Sequence, residues 1–365
     1  MRKMIVVPIL LILAFSFCTV KEDNAGTQQN PFNAPVQRDD GWEVSTPTAE
    51  GVKEAPLHQL IERINDSTYI NICSVLLVRH GKLIFEEYFL DFHRDKVVDT
   101  YSVTKSITSL LIGIAWDQGR FENVNRKLFS FFPEHAALNN EQKDKITLEH
   151  VLTMTSGLKW DESYPDDDPR NDLTALIENG DWMAYMLAQP MESEPGEVFH
   201  YSNGAVLLLS GILENITGMH AEDYAKEYLF TPLGISDFKW NENPEDGMTC
   251  TFSSLEMKAR DMAKIGSLVL NNGSWKGNQV ISGDWISRST AAHVFAPSIA
   301  IDYGYLWWVQ TFNVQGVEVE SVSARGMGGQ LIFVFPSLDL AAVIQQANYD
   351  YDLKPLEECI IPAVL

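Results

Sequence analysis

Three stretches of this chain hold residue types whose spacing suits nucleophilic chemistry. In Thr100-Tyr-Ser-Val-Thr-Lys105, Ser102 and Lys105 lie three residues apart. On a helix, residues at i and i+3 share a face, so the amine would hang beside the hydroxyl. His200-Tyr-Ser-Asn203 offers a phenol and an amide, and Ser321-Val-Ser-Ala-Arg-Gly-Met-Gly-Gly-Gln330 is dense in glycine. A serine hydroxyl is a poor nucleophile until another group takes its proton. No G-x-S-x-G elbow occurs, and the eight histidines show no spacing that singles out a base. Lys105 is the local alternative. Its ordinary pKa is about 10.4, so it needs desolvation or a second titrating group.

Tyr201 can be that second group. Its phenol must fall by about 3 pK units, roughly 4 kcal/mol, to act as a base at pH 7. A cation about 4 Å away supplies roughly that much at an effective dielectric near 20. Asn203 carries both donor and acceptor, suited to hold the lysine or a substrate carbonyl. In the third stretch, glycines let a substrate approach backbone N–H groups. One such N–H, with that of Ser102, would bind a tetrahedral oxyanion, a donor typically worth ~10²–10³ in turnover.

Each signal is weak alone, and the surrounding elements decide between them. Roughly one or two S-x-x-K matches are expected by chance in a chain this long. Three occur: Ser102/Lys105, Ser156/Lys159 and Ser236/Lys239. Only the first opens a strongly periodic helix, with Ile107, Leu110, Leu111 and Ile114 on one face and Gly119 past its end. A second Tyr-x-Asn occurs at Tyr69 to Asn71, so Tyr201 gains weight from its place before the helix at Ala205–Thr217.

Cys73–Val78 and Leu83–Phe89 read as strands around an Arg79–Lys82 turn. A short helix is expected at Leu57–Asn65. Further helices are expected at Leu148–Met154, Asp181–Leu187, Ala221–Phe230 and Leu255–Leu270. The C-terminal part returns to strands at Tyr305–Thr311, Val317–Ser323, Gln330–Phe335 and Leu340–Gln346, with a closing helix at Leu353–Ile361. At least one of Trp307 and Trp308 is expected in the sheet core. Strands at both ends of a helical middle, about 120–240, predict an α/β (α+β) fold: an antiparallel sheet flanked by helices, with an inserted mostly helical region. The acidic run Asp161–Asp168 reads as a solvated loop, since it lacks the glycine and terminal glutamate of an EF-hand calcium loop.

The 365 residues are 45% hydrophobic, enough for a large core. The formal charge of −23 makes nucleic acid an unsuitable partner. Arg2, Lys3 and the apolar run Ile5–Phe17 read as an export signal over 1–18. Two outcomes stay open there, lipid anchoring through Cys18 or plain secretion, so the expected location is periplasmic or outer-surface. Residues 19–55 read as a linker, with Trp42 a candidate to dock on the body, and 56–365 as the folded domain. Cys73, Cys250 and Cys359 make no disulfide framework, and no metal or cofactor motif occurs.

In this order and context, the three stretches resemble the serine β-lactamase and penicillin-binding-protein superfamily, in its class C-like branch. Ile146–Leu158, Thr231–Ile235, Ala259–Ala263 and Tyr305–Trp308 resemble it too, and the likeness spans roughly 55–362. The resemblance implies a β-lactamase/transpeptidase-like fold. It also implies acylation of Ser102, proton transfer by Lys105 and Tyr201, and release of the acyl group by water. The chain departs from the pattern in the third motif. Where Lys or His, Thr or Ser, and Gly are usual, this chain has Ala324-Arg325-Gly326. That is closer to the esterases and 6-aminohexanoate-dimer hydrolase-like members, and Met327 would then supply the strand-side oxyanion N–H. Arg325 is either a carboxylate clamp or turned away by strand alternation. The expected activity is a serine hydrolase cutting an ester or amide in a small substrate. The alternatives are a β-lactamase or DD-peptidase and a non-catalytic binding or sensor protein.

Overall fold

A computed structural model describes residues 32–349 and 351–365. The expected export signal, Cys18 and the tether up to residue 31 lie outside the described residues. Among the described residues, nine strands make the main sheet: β1 (Glu43–Val44), β2 (Ile72–Arg79), β3 (Lys82–Tyr88), β4 (Val294–Ala296), β5 (Ile301–Tyr303), β6 (Trp308–Val314), β7 (Val317–Gly326), β8 (Gln330–Phe335) and β9 (Leu340–Gln346). Their order is β1-β3-β2-β9-β8-β7-β6-β5-β4. All neighbours pair antiparallel except β1 with β3. The β2–β3 turn takes positive φ at His80 and Gly81, the geometry of a tight hairpin.

Helices cover both faces. On the back lie α1 (Glu54–Asn65) and the C-terminal segment Leu356–Val364, over Leu77, Leu331, Phe333 and Ile344. On the front lie α2 (Val103–Asp117), α3 (Asn203–Thr217) and α4 (Ala259–Leu270), over Val78, Ala324, Ile332 and Val343. Central strands are therefore apolar on both sides, unlike a half-solvated antiparallel sheet. α2 is buried from Val103 to Ala115, its polar side chains Thr104, Lys105, Ser106, Thr108 and Ser109 included. A Cβ at Gly113 would lie 2.2 Å from Trp285, so glycine is what admits that indole.

Several expectations shift. Residues 36–52 do not behave as linker: Trp42 is buried and Glu43–Val44 extends the sheet. The expected helix Leu255–Leu270 divides. Leu255–Lys258 is a strand paired with Val97–Asp99, and the helix begins at Ala259. Leu-Glu-Met-Lys alternates buried and half-buried side chains, a period-two pattern too short to separate from a helical turn. The strand expected at Tyr305 starts at Trp308, after Leu306 takes a φ of 63°. Trp307 is in the core, whereas Trp308 is half-buried. Between residues 120 and 238 the chain is helical and looped, as its punctuation predicts, and Lys239–Trp240 is a strand paired with Leu255–Lys258.

Candidate active site

Ser102 stands at the mouth of α2, held by a small three-stranded sheet. Val97–Asp99 pairs with Leu255–Lys258, and the Thr100 hydroxyl donates to Leu255 O at 2.7 Å. The chain then turns sharply. Tyr101 has φ of 48°, a conformation costly for a bulky residue, and its N–H donates to Asp99 Oδ1 at 2.7 Å. Ser102 occupies the N-cap, but its hydroxyl caps no backbone N–H. Instead Oγ accepts from Lys105 Nζ at 2.9 Å.

Lys105 is fully buried one turn deeper and also donates to Phe252 O at 2.8 Å. Among the described residues, no carboxylate is within ion-pair distance of its amine. Desolvation pulls its pKa down to about 7, against weaker upward pulls from Glu162 and Cys250. Burial in turn pushes the Cys250 thiol up to about 12, so it stays protonated. Neutral and charged Lys105 are thus both accessible near neutral pH.

Tyr201 closes the site. It shares a hydrogen bond with Ser102, and Lys105 Nζ lies 5.0 Å from its ring centroid. Its ring stacks on Trp308, with centroids 5.8 Å apart and planes 16° from parallel. The residue is 36% exposed, yet burial raises the phenol pKa despite the Ser102 bond. This corrects the expectation of a phenol depressed by a neighbouring cation. Lys105 is itself desolvated and cannot lower its neighbour as a full charge would. The lysine, not the tyrosine, is poised near neutrality.

Asn203 begins α3, after Ser202 caps it by accepting from Ala205 N–H at 3.0 Å. Its Nδ2 donates to Glu162 Oε2 at 2.9 Å, and no bond to Lys105 is formed. Glu162 also accepts from Trp160 Nε1. The acidic loop is therefore not wholly a solvated run, since one member reaches the reactive cluster. Glu162 is itself solvent-exposed as a residue, its carboxylate held by these two bonds, and no sequence pattern marks it among the acidic residues of the loop. With Tyr201, Trp160, Glu192 and His200, it lines a cleft of about 460 Å³. A larger cavity of about 800 Å³, lined by Phe295, Gln310 and Glu320, includes none of the reactive residues, so size does not locate the chemistry here.

The glycine-dense stretch splits. Gly326 belongs to the site: a Cβ there would lie 2.2 Å from Thr100 O, so only glycine lets β7 run against the Ser102 turn. Met327 follows at the strand end with its side chain exposed. Arg325 does not join them. Strand alternation sends it to the back, where it donates to Ser323 Oγ at 2.8 Å and Gln310 Oε1 at 2.6 Å. It also sits 5.1 Å from the Phe333 ring centroid, so the carboxylate-clamp expectation fails. Among the described residues, no group of side chains suits a metal ion.

A serine on a strained turn, bonded to a buried lysine and a tyrosine over an antiparallel sheet, defines a serine-hydrolase architecture. The chain belongs to the beta-lactamase family, whose sequence model matches residues 57–356. The 6-aminohexanoate-dimer hydrolase of Paenarthrobacter ureafaciens is 24% identical over 299 residues, covering 76% of this chain and 73% of that one. A family VIII carboxylesterase superposes with TM-score 0.67 at 17% identity, covering 86% of this chain and 98% of that one. A D-stereospecific amidohydrolase from Streptomyces superposes with TM-score 0.63 at 15% identity, covering 86% and 98%. These two structural likenesses speak for the fold.

Proposed function

We propose that this protein is a serine hydrolase that forms an acyl-enzyme on Ser102 and cleaves an ester or amide bond in a small substrate. The observation that carries the reading is the contact between Ser102 Oγ and a buried Lys105 whose pKa lies near 7. Neutral Lys105 takes the serine proton as Oγ attacks the carbonyl carbon. The oxyanion binds the backbone N–H groups of Ser102 and Met327. Tyr201, held as a neutral phenol and bonded to Ser102, passes the proton to the leaving oxygen or nitrogen. Water then attacks the acyl carbonyl by the reverse route and frees Ser102.

The names of the relatives, a 6-aminohexanoate-dimer hydrolase, a D-stereospecific amidohydrolase and a family VIII carboxylesterase, support small amides and esters as substrate classes. A carboxylate-bearing β-lactam is a poorer fit, because Arg325 is on the far face of the sheet. A hydrolysis screen of p-nitrophenyl acetate, short amides and cephalosporins tests the reading. The expected result is ester or amide turnover that Ser102→Ala abolishes. Turnover confined to cephalosporins, or surviving Ser102→Ala, contradicts it.

A further inference from the structure

Glu162 stands out because its carboxylate does two jobs in one place. Oε1 accepts from Trp160 Nε1 and Oε2 accepts from Asn203 Nδ2. A carboxylate can only accept, so the amide of Asn203 must turn its NH₂ toward Glu162 and its carbonyl the other way. That carbonyl oxygen, Asn203 Oδ1, is buried and has no partner among the described residues. A buried acceptor without a partner costs about 1–3 kcal/mol, so it stands in wait of a donor. The donor it lacks is close in kind. The ammonium of Lys105 has three hydrogens, and its two acceptors are Ser102 Oγ and Phe252 O.

We propose that Glu162 is a positioning residue, which locks the Asn203 amide so that its carbonyl receives the third hydrogen of Lys105 when that amine is charged. This rests on the reading of Lys105 as the base that activates Ser102. In the resting state the amine holds Ser102 and Phe252. After it takes the serine proton, all three N–H groups need acceptors while Ser102 Oγ is bonded to the carbonyl carbon of the tetrahedral adduct, until Tyr201 passes a proton on to the leaving group. Asn203 Oδ1 then replaces the contact that Ser102 gives up. The amide can do this only in the orientation that Glu162 imposes. The charge of Glu162 acts in the same direction, favouring the charged lysine. The other titratable groups that face Lys105 are Cys250, a protonated thiol, and Tyr201, a neutral phenol. Glu162 is the one carboxylate among those that act on the lysine.

Glu162→Ala removes both the lock and the charge. Glu162→Gln can keep an oxygen on Asn203 Nδ2, but it loses the charge. The test follows p-nitrophenyl acetate turnover by full-length protein from pH 5 to 10. For Glu162→Ala, the high-pH plateau of kcat should fall by about tenfold or more, with KM changed less than threefold. Its acid limb should also move to lower pH, because the lysine has lost a favourable neighbour. Glu162→Gln should recover most of the plateau while keeping the displaced limb. Asn203→Ala should lower the plateau to the same degree, and adding it to Glu162→Ala should cost little more. A wild-type profile in Glu162→Ala overturns the proposal. So does equal damage by both Glu162 variants with an unmoved limb, the signature of a merely structural carboxylate. Wild-type protein with no turnover that depends on Ser102 defeats the hydrolase reading instead, so the two failures are distinct.

Discussion

Two buried cations, Lys105 in α2 and Arg260 in α4, show what separates chemistry from scaffolding in this fold. Arg260, at the start of α4, is held by carboxylates: Glu86 Oε2 at 2.6 Å and Asp40 Oδ2 at 2.5 Å. It also donates to Val36 O at 2.8 Å, and its own carbonyl accepts from Trp42 Nε1 at 3.3 Å. Burial works against its charge, but the bonds to Glu86 and Asp40 more than offset that, and its pKa rises. Burial likewise opposes the charge of Glu86, and Arg260 and Arg94 overcome it. Lys105 has the burial without the carboxylate contact. Its partners are a hydroxyl and a backbone carbonyl, neither of which repays the lost hydration, and its pKa drops to about 7. A compensated cation is a clasp, here pinning residues 36–42 to the body. Lys105, uncompensated and bonded to Ser102 Oγ, is the proton carrier of the proposed reaction.

The contrast predicts opposite responses to the same kind of substitution. Lys105→Met should lower ester turnover by about 10³-fold or more, measured as kcat/KM on p-nitrophenyl acetate. The same change should stabilise the protein. The folded pKa of Lys105, about 7, lies below the unfolded value near 10.4. The penalty on its charged form is therefore complete below pH 7 and fades as pH rises toward 10.4. The gain in melting temperature should be larger at pH 6 than at pH 9, and a variant less stable at pH 6 breaks the comparison. Arg260→Met should behave in reverse. Glu86 keeps Arg94 and Tyr88 but loses both Arg260 bonds, and Asp40 loses its cation, so stability should fall by about 3 kcal/mol by denaturant melt, while kcat per folded molecule stays within about threefold.

Smaller effects sharpen the picture. Tyr201→Phe should reduce kcat by about 10²-fold, the lower range for a proton-transfer group. It should leave the acid limb near pH 7, because that limb belongs to Lys105. A limb that moved above pH 9 would return the titration to the tyrosine. Arg325→Leu should change kcat/KM by less than about threefold, since its contacts are on the back of the sheet. Tenfold loss specific to carboxylate-bearing substrates would revive it as a clamp.

Much of the site was legible where one periodic element carried it. The apolar spacing after Ser102 located α2, and Gly119 with φ of 69° ends it as expected. Tyr201 was found by its place at a helix mouth, but its charge state was not, because desolvation depends on what packs over a residue. Arg325 turned on register: one position along β7 separates Gly326, against Thr100, from a guanidinium on the opposite face. Glu162 was hidden among acidic neighbours of the same loop. The pieces missed in the fold were short. Val97–Asp99, Val294–Ala296 and Ile301–Tyr303 are three residues each, too brief for alternation to register.

The central claim is that burial, not histidine, readies Ser102 through Lys105. Its most direct test is the rate at which a fluorophosphonate probe modifies the protein as a function of pH, with the adduct mapped by peptide mass spectrometry. The account predicts a single adduct on Ser102, forming faster as pH climbs through about 7 and absent in Lys105→Met. An adduct on another residue, no adduct at all, or a rate that rises only near pH 10 would contradict it.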